Sequence, residues 1–333
     1  MRFIKAYHYC ILFVAILFIT AAVYYMYFTN VNSQSAMKNK FINIIQREYL
    51  KKNKNMYENS SRKSLLESNE TLITESKIRN KPTKYITKPS KKKSLELNLG
   101  FTTVTQAEEF YYATITKNSF TCNYSIRIGR PDDGGWDVCF VGNFNLKKSN
   151  CLSYSFGVNN IWEFDDEMAK KYECTVRTFD PSMTGYPDEM QRPSNVWFYK
   201  IGLGKEDTTW SNGWKIMKMS SLLKKFNEKD RIIDILKIDI EFSEWDSFES
   251  MIQDGILSKV KQILFETHTE ELQGRTTSLA SYVRFLKIWN TLYNAGFRQW
   301  KNHWNHFGQY SSKNTFKTRT CCFEHYLVNT NYL

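Results

Sequence analysis

Residues 150–330 of this 333-residue chain predict an α/β fold with a mostly parallel, doubly wound sheet, on three observations. Short apolar runs alternate with amphipathic helical segments, the pattern of repeated β–α units. One run, residues 232–240 (IIDILKIDI), is nearly continuously apolar, as a central strand covered on both faces requires. Polar residues collect just after the runs, where the carboxyl ends of parallel strands open a ligand crevice at the switch point.

Residues 151–156 form the first strand and stop at Gly157. Residues 163–172 (EFDDEMAKKY) are acidic first and basic last, matching the helix dipole. Residues 174–179 make the next strand, β-branched and aromatic, ending at Asp180 and Pro181. Residues 196–201 supply a third strand and residues 232–240 the fourth. Residues 244–253 read as a helix, and residues 262–265 as a fifth strand running towards Glu266 and His268. Residues 278–295 form a helix, with apolar side chains at 279, 282, 283, 286, 289, 292 and 293 and Gly296 at its C-terminal cap. Residues 297–300 and 320–328 offer the last two strands. Between Arg130 and Cys139 the content of Pro, Gly and Asp marks a tight, turn-rich segment that shapes the chain before the first strand.

Ahead of this domain the chain changes character. Arg2 and Lys5 precede 19 residues, 10–28, without a charge. At ~1.5 Å per residue these span about 28 Å of helix, enough to cross a bilayer core. Tyr24, Tyr25 and Tyr27 at the far end suit an interfacial belt, and the positive flank lies on the N-terminal side. The expected arrangement is a cytosolic tail (1–9), an uncleaved signal anchor (10–28), a flexible basic stem (29–104) and a luminal domain (105–333). A cleaved signal peptide and a buried core helix are the competing readings. The stem is rich in Lys, Asn and Ser, with a short amphipathic stretch at residues 41–50. Type II topology with anchor and stem points to the Golgi, and the sequons at Asn59, Asn69 and Asn123 fit a luminal, glycosylated chain.

The formal net charge of +12 is a property of that N-terminal part. Residues 29–100 hold 16 basic and 6 acidic side chains, whereas residues 101–333 hold 28 of each. The foldable domain therefore has no polyanion-binding excess, and a nucleic-acid partner is not expected. Outside the apolar run the six cysteines 122, 139, 151, 174, 321 and 322 suit a disulfide framework in an oxidising lumen, with buried thiols as the alternative. No Cys-x-x-Cys spacing occurs, and no metal site is assigned.

The strand ends carry the chemistry. Ser155, Phe156, Gly157, Asn159 and Asn160 follow the first strand, where a glycine lets backbone approach a ligand and a helix start offers free N–H groups. Asp180 follows 23 residues after Gly157, at the end of the next strand, where a carboxylate can take both hydroxyls of a ribose; a turn-forming Asp-Pro is the alternative. The full glycine-rich pyrophosphate loop is absent, which favours a nucleoside without phosphates, S-adenosylmethionine above all. Asp239 and Glu241 are two apart at the end of the central strand, placed to hold an ammonium, act as a base or bind a divalent cation through water. Glu266 and His268 repeat that spacing on the next strand, and His268 has the pKa of a general base. The alternative is that these pairs only position loops.

GGWDVC (134–139), CLSYSFGVNN (151–160), FDPS (179–182), LKIDIEFSEW (236–245), ILFETH (263–268) and CCFEHYLVN (321–329) stand in one order. Together they resemble the membrane-anchored methyltransferase-like family, that of methyltransferase-like protein twenty-four and its nematode-type kin. LKIDIE and Gly157-Val158-Asn159 are also similar to FkbM-type methyltransferases. The resemblance covers about residues 105–330. It implies a seven-stranded, Rossmann-like class I methyltransferase sheet with helices on both faces and S-adenosylmethionine at the switch point. On that pattern Phe156 and Gly157 line the cosubstrate, Asp180 takes the ribose and Asp239 faces the methionine end. Two positions depart from it: Phe242 replaces a glycine, and Ser155 stands where the widest methyltransferase class has an acid.

The expected function is a luminal, membrane-anchored methyltransferase. A carbohydrate hydroxyl is its plausible acceptor by compartment, and a base among His268, Glu266 and Asp239 completes the site. A luminal glycosyltransferase and a non-catalytic binding protein using the same crevice are the alternatives.

Overall fold

The computed structural model describes residues 99–333; the expected tail, anchor and most of the stem lie outside the described residues. No helix among the described residues is long and apolar enough to cross a membrane.

The centre is an eight-stranded mixed sheet. Its strands in chain order are β1 (Leu152–Phe156), β2 (Thr175–Phe179), β3 (Glu189–Gln191), β4 (Val196–Tyr199), β5 (Ile233–Ile238), β6 (Val260–His268), β7 (Phe297–Trp304) and β8 (Cys322–Asn329). They lie side by side as β7-β8-β6-β5-β1-β2-β4-β3. The five from β6 to β4 run parallel; β8 opposes β6 and β7, and β3 opposes β4 at the far edge. From β1 the chain builds outward through β2 and β4, then returns to lay β5 and β6 on the other side of β1. The switch point therefore falls between β1 and β5.

Among the described residues five α-helices accompany the sheet: α1 (Val104–Ile115), α2 (Glu163–Tyr172), α3 (Met219–Lys225), α4 (Glu244–Gln253) and α5 (Leu279–Asn294). Each long one starts or ends as its sequence requires. Thr103 and Ser278 cap α1 and α5 by accepting from the amides of Gln106 and Ser281. Gly296 leaves α5 at φ +108°, a conformation other residues resist.

Strand alternation divides the core in two. Leu152, Tyr154, Phe156, Leu236, Ile238, Ile263 and Phe265 pack with α1, α3, α4 and α5. Val176, Val196, Ile235, Leu264 and Tyr326 face α2 and an antiparallel hairpin, Ser125–Ile128 with Trp136–Cys139. Helices do lie on both faces, but the second face carries one helix and a hairpin. That hairpin is what the turn-rich segment builds: Gly135 is needed because a Cβ there would stand 1.8 Å from the Arg130 carbonyl oxygen. Gln262 fastens the hairpin to β6, its amide donating to the Cys139 and Phe144 carbonyls while its oxygen accepts from the Cys139 N–H.

The strand expected at residues 196–201 is interrupted. β4 stops at Tyr199, and Ile201–Leu203 joins a separate three-stranded sheet. The six cysteines pair as Cys122–Cys139, Cys151–Cys174 and Cys321–Cys322.

Candidate active site

Three strand ends meet at the switch point. At the end of β1, Gly157 turns at φ +81°, and a Cβ there would stand 1.7 Å from the Asp239 carbonyl oxygen. Only glycine lets the β1 turn lie against the β5 turn this closely. The contact is stitched by the Asp239 N–H donating to the Phe156 carbonyl (3.1 Å) and the Gly157 N–H donating to the Phe179 carbonyl (2.8 Å). Lys237 reinforces it from beneath, its buried Nζ donating to the carbonyls of Gly157 (2.5 Å) and Phe156 (3.3 Å) below the Trp136 ring.

Asp180 sits where the end of β2 meets that turn. One carboxylate oxygen accepts from the Asn159 N–H (2.9 Å), the other from the N–H (2.9 Å) and hydroxyl (2.6 Å) of Ser182. The Asp-Pro turn and the tie to the β1 loop are thus one structure. Oδ1 is thereby saturated by Ser182, and Oδ2 retains one lone pair for a further donor. Asn159 itself is held at φ +42°, with Asn160 at +62°.

Ser155 and Phe156 are not brought to the crevice by their side chains. Phe156 points into the larger core and stacks on Phe179 at 4.6 Å. Ser155 points to the opposite face, buried beneath α2 beside Thr178 and Asp165. Asp165 is where an acid does appear, from helix rather than strand. Burial pushes its carboxyl up to about 6, with the Lys237 charge and the Ser155 and Thr178 hydroxyls opposing the rise.

At the end of β5, Asp239 is half-buried and Glu241 stands at the rim. Glu241 and Phe242 turn at φ +54° and +83°. Phe242 thus adopts the glycine-like backbone of the family pattern without being glycine, and its ring packs near Phe285 at 6.1 Å. Burial raises the Glu241 carboxyl, the His268 charge lowers it, and Asp239, Glu244 and Asp133 raise it again.

At the end of β6, Glu266 and His268 lie on one face two residues apart. His268 is 2% exposed and held at four points. Its N–H and Nδ1 face Glu244 Oε1 at 2.6 and 3.2 Å, Trp245 Nε1 donates to its carbonyl at 2.7 Å, and Nε2 faces Glu266 Oε2 at 3.4 Å. Burial alone would depress its pKa, but Glu244 and Glu266 outweigh that and hold it well above its ordinary value. The imidazolium so favoured has no free nitrogen for a substrate proton. Glu266, Asp239 and Glu241 are the other carboxylates at these strand ends. Glu244, first residue of α4 and fully buried, sits where the helix dipole favours a carboxylate.

Further carboxylates close the bowl. Glu324 lies across from Glu266 in the β6–β8 register. Burial pushes it up to about 7, Tyr326 opposing and Glu266 adding to the rise. Asp133, at the hairpin turn, is raised by burial and then by Asp239. Lys237, Glu244, Asp165, Glu324 and Asp133 were not singled out from sequence. For Lys237 and Glu244 the signal was there, a charge inside an apolar strand and an acid at a helix start.

The chain matches the family described as "Methyltransferase domain" over residues 65–316, about three quarters of its length. It belongs to that family. Two relatives are both described as "Probable methyltransferase-like protein 24". The one from Homo sapiens is 26% identical over 166 residues, 46% of this chain and 44% of its own. The one from Rattus norvegicus is 29% identical over 167 residues, 45% and 43% of the two chains. The matched segment thus spans less than half of either relative. Among solved structures, the plantazolicin methyltransferase BpumL in complex with SAH aligns over 54% of this chain and 76% of its own, at 8% identity and a TM-score of 0.27.

Proposed function

We propose that this protein is an S-adenosylmethionine-dependent methyltransferase whose donor site is the crevice between the ends of β1 and β5. The observation that carries the reading is the Gly157–Asp239 contact, a turn with no room for a side chain, beside a carboxylate at the end of the neighbouring strand. The residues fit the cosubstrate. The Gly157 turn offers a backbone cradle, Asp180 keeps one acceptor position on Oδ2 for a ribose hydroxyl, and Asp239 offers a carboxylate to the methionine ammonium. When bound, the cosubstrate supplies an electrophilic methyl group. Lys237 holds the cradle in shape, and Glu244 and Trp245 fix His268. With Asp239 given to the ammonium, Glu266 and Glu241 are the bases able to take the acceptor's proton.

The compartment belongs to the same proposal: a single-pass type II membrane protein of the secretory pathway, acting in the Golgi lumen on a carbohydrate hydroxyl. The apolar residues 10–28 with their N-terminal positive flank support it, as do two disulfides that join separate elements.

Calorimetric titration of the full-length protein with S-adenosylmethionine tests the reading, with a uridine-diphosphate sugar plus Mn²⁺ in parallel. Saturable binding of the first, weakened at least ~10-fold by Asp180→Asn and by Asp239→Asn, is expected, about 1.4 kcal/mol for each tenfold. No binding by folded protein overturns it, and saturation by the nucleotide sugar would put a glycosyltransferase in its place.

A further inference from the structure

We infer that Glu266, His268 and Cys322 form a divalent-metal site that the Cys321–Cys322 disulfide closes and its reduction opens. Glu266 Oε, a His268 ring nitrogen and Cys322 Sγ lie within 4.8 Å of one another, all buried. Their convergence follows from the sheet. Glu266 and His268 are i and i+2 on β6, and Cys322 is the residue directly opposite His268 on antiparallel β8.

The surroundings are those of a ligand set. A metal-bound imidazole turns its other nitrogen to a carboxylate, which fixes the ring. Here Nδ1 faces Glu244 Oε1 at 3.2 Å, leaving Nε2 towards Glu266 at 3.4 Å. Glu244 is wholly buried and its second oxygen, Oε2, has no hydrogen-bond partner. Asn305 Nδ2 donates to Glu266 Oε1 (2.8 Å), which turns Oε2 to the histidine, and the Asn305 N–H donates to the Cys322 carbonyl (3.2 Å). Gly308 completes the enclosure: a Cβ there would stand 2.6 Å from Cys321 Sγ and 2.8 Å from Cys322 Sγ.

Tetrahedral coordination at ~2.0–2.3 Å needs donors about 3.3–3.8 Å apart. The His268–Glu266 pair already meets that spacing at 3.4 Å, so only Cys322 Sγ must close in. Within the disulfide it has no thiolate to offer. A dithiol reductant supplies two electrons and two protons, leaves as its own disulfide, and generates thiols at Cys321 and Cys322. Coordination then expels the Cys322 proton and the Nε2 proton to solvent. One carboxylate, one imidazole and one thiolate suit a borderline cation of the Zn²⁺ kind, with a fourth position for solvent.

The test uses Co²⁺ as a spectroscopic probe on the full-length protein. Cys321→Ser frees Cys322 without touching the other two disulfides. It should bind one Co²⁺ with a sulfur-to-cobalt charge-transfer band, whereas the oxidised wild type should bind at least ~100-fold more weakly and without that band. Cys322→Ser and His268→Asn should abolish the band, and Glu244→Gln should weaken binding by ~10–100-fold, the range for a residue behind a ligand. If Cys321→Ser does not fold, wild type reduced with a trialkylphosphine takes its place, against Cys322→Ser under the same treatment. Absence of the band at millimolar Co²⁺ in the freed-thiol protein, or its persistence in His268→Asn or Cys322→Ser, overturns the site. The readout is independent of cosubstrate binding, so failure here leaves the methyltransferase reading untouched.

Discussion

An alanine at position 157 would drive its Cβ to within 1.7 Å of the Asp239 carbonyl, on backbone already at φ +81°. Neither the β1 turn nor the β5 turn can retreat without breaking the bonds that join them. Gly157→Ala should therefore cost several kcal/mol and abolish S-adenosylmethionine binding, read by thermal denaturation and calorimetry on the same sample. Asp165 gives a pH signature. Its ordinary value is 3.8 and in the fold it rises to about 6, so the folded state binds the proton more tightly. Stability contributed this way is full below the ordinary value and is lost as the pH climbs through about 6. Asp165→Asn should remove that slope and gain up to about 3 kcal/mol at neutral pH, seen as a Tm that no longer falls between acid and neutral buffer. A slope unchanged by the substitution would refute the account. At this scale the sequence was legible where a residue type is compulsory, as at Gly157 and Asp180. It was opaque where packing overrides local preference: Phe242 keeps a glycine's backbone because its ring is held near Phe285.

Among the elements, the hairpin depends most on one side chain. Gln262→Leu would leave the buried N–H and carbonyl of Cys139 without the partners that Gln262 supplies. A loss of about 2–4 kcal/mol is expected, measured as a lower urea midpoint at unchanged slope. α2 and α4 have the bounds that residues 163–172 and 244–253 predict, and in α2 the charge order, acidic first and basic last, marks both ends. α1 lies across the expected stem boundary at residue 104, and its apolar positions packed against α5 carry no strong signal of their own. The split after Tyr199 is not readable either. Lys200 is a single charge inside the otherwise apolar residues 196–203, and the break arises because Ile201–Leu203 pairs with Lys215–Met217 in a different sheet.

For the whole molecule, two disulfides tie the base of the fold together. Cys151–Cys174 joins the start of β1 to the start of β2, and Cys122–Cys139 anchors the hairpin, across separations of 23 and 17 residues. Loop-entropy reasoning gives about 3 kcal/mol for each. Reduction should lower Tm by several degrees, and an unchanged Tm would argue that neither bond constrains the unfolded chain. The even cysteine count made a framework legible, but its pairing was not, because partners are set by which strand starts lie side by side. The site was legible in the same partial sense. The strand ends were found, and Lys237 and Glu244 carried a signal in the sequence, whereas the contacts that they and Asn305 make join elements that only the fold brings near.

The placement of β1 and β5 in the middle of the sheet has a consequence for isotope exchange. Each is hydrogen-bonded to a strand on both sides, so its amides can trade protium for deuterium only when the whole domain opens. Edge strand β3, short and bonded on one side, should exchange first. The turns at 157–160 and 239–243 hang from the two slowest strands yet carry few ladder bonds of their own. A ligand in the crevice would leave its footprint there, as slowed deuterium uptake confined to nine amides set in a frame that was already protected.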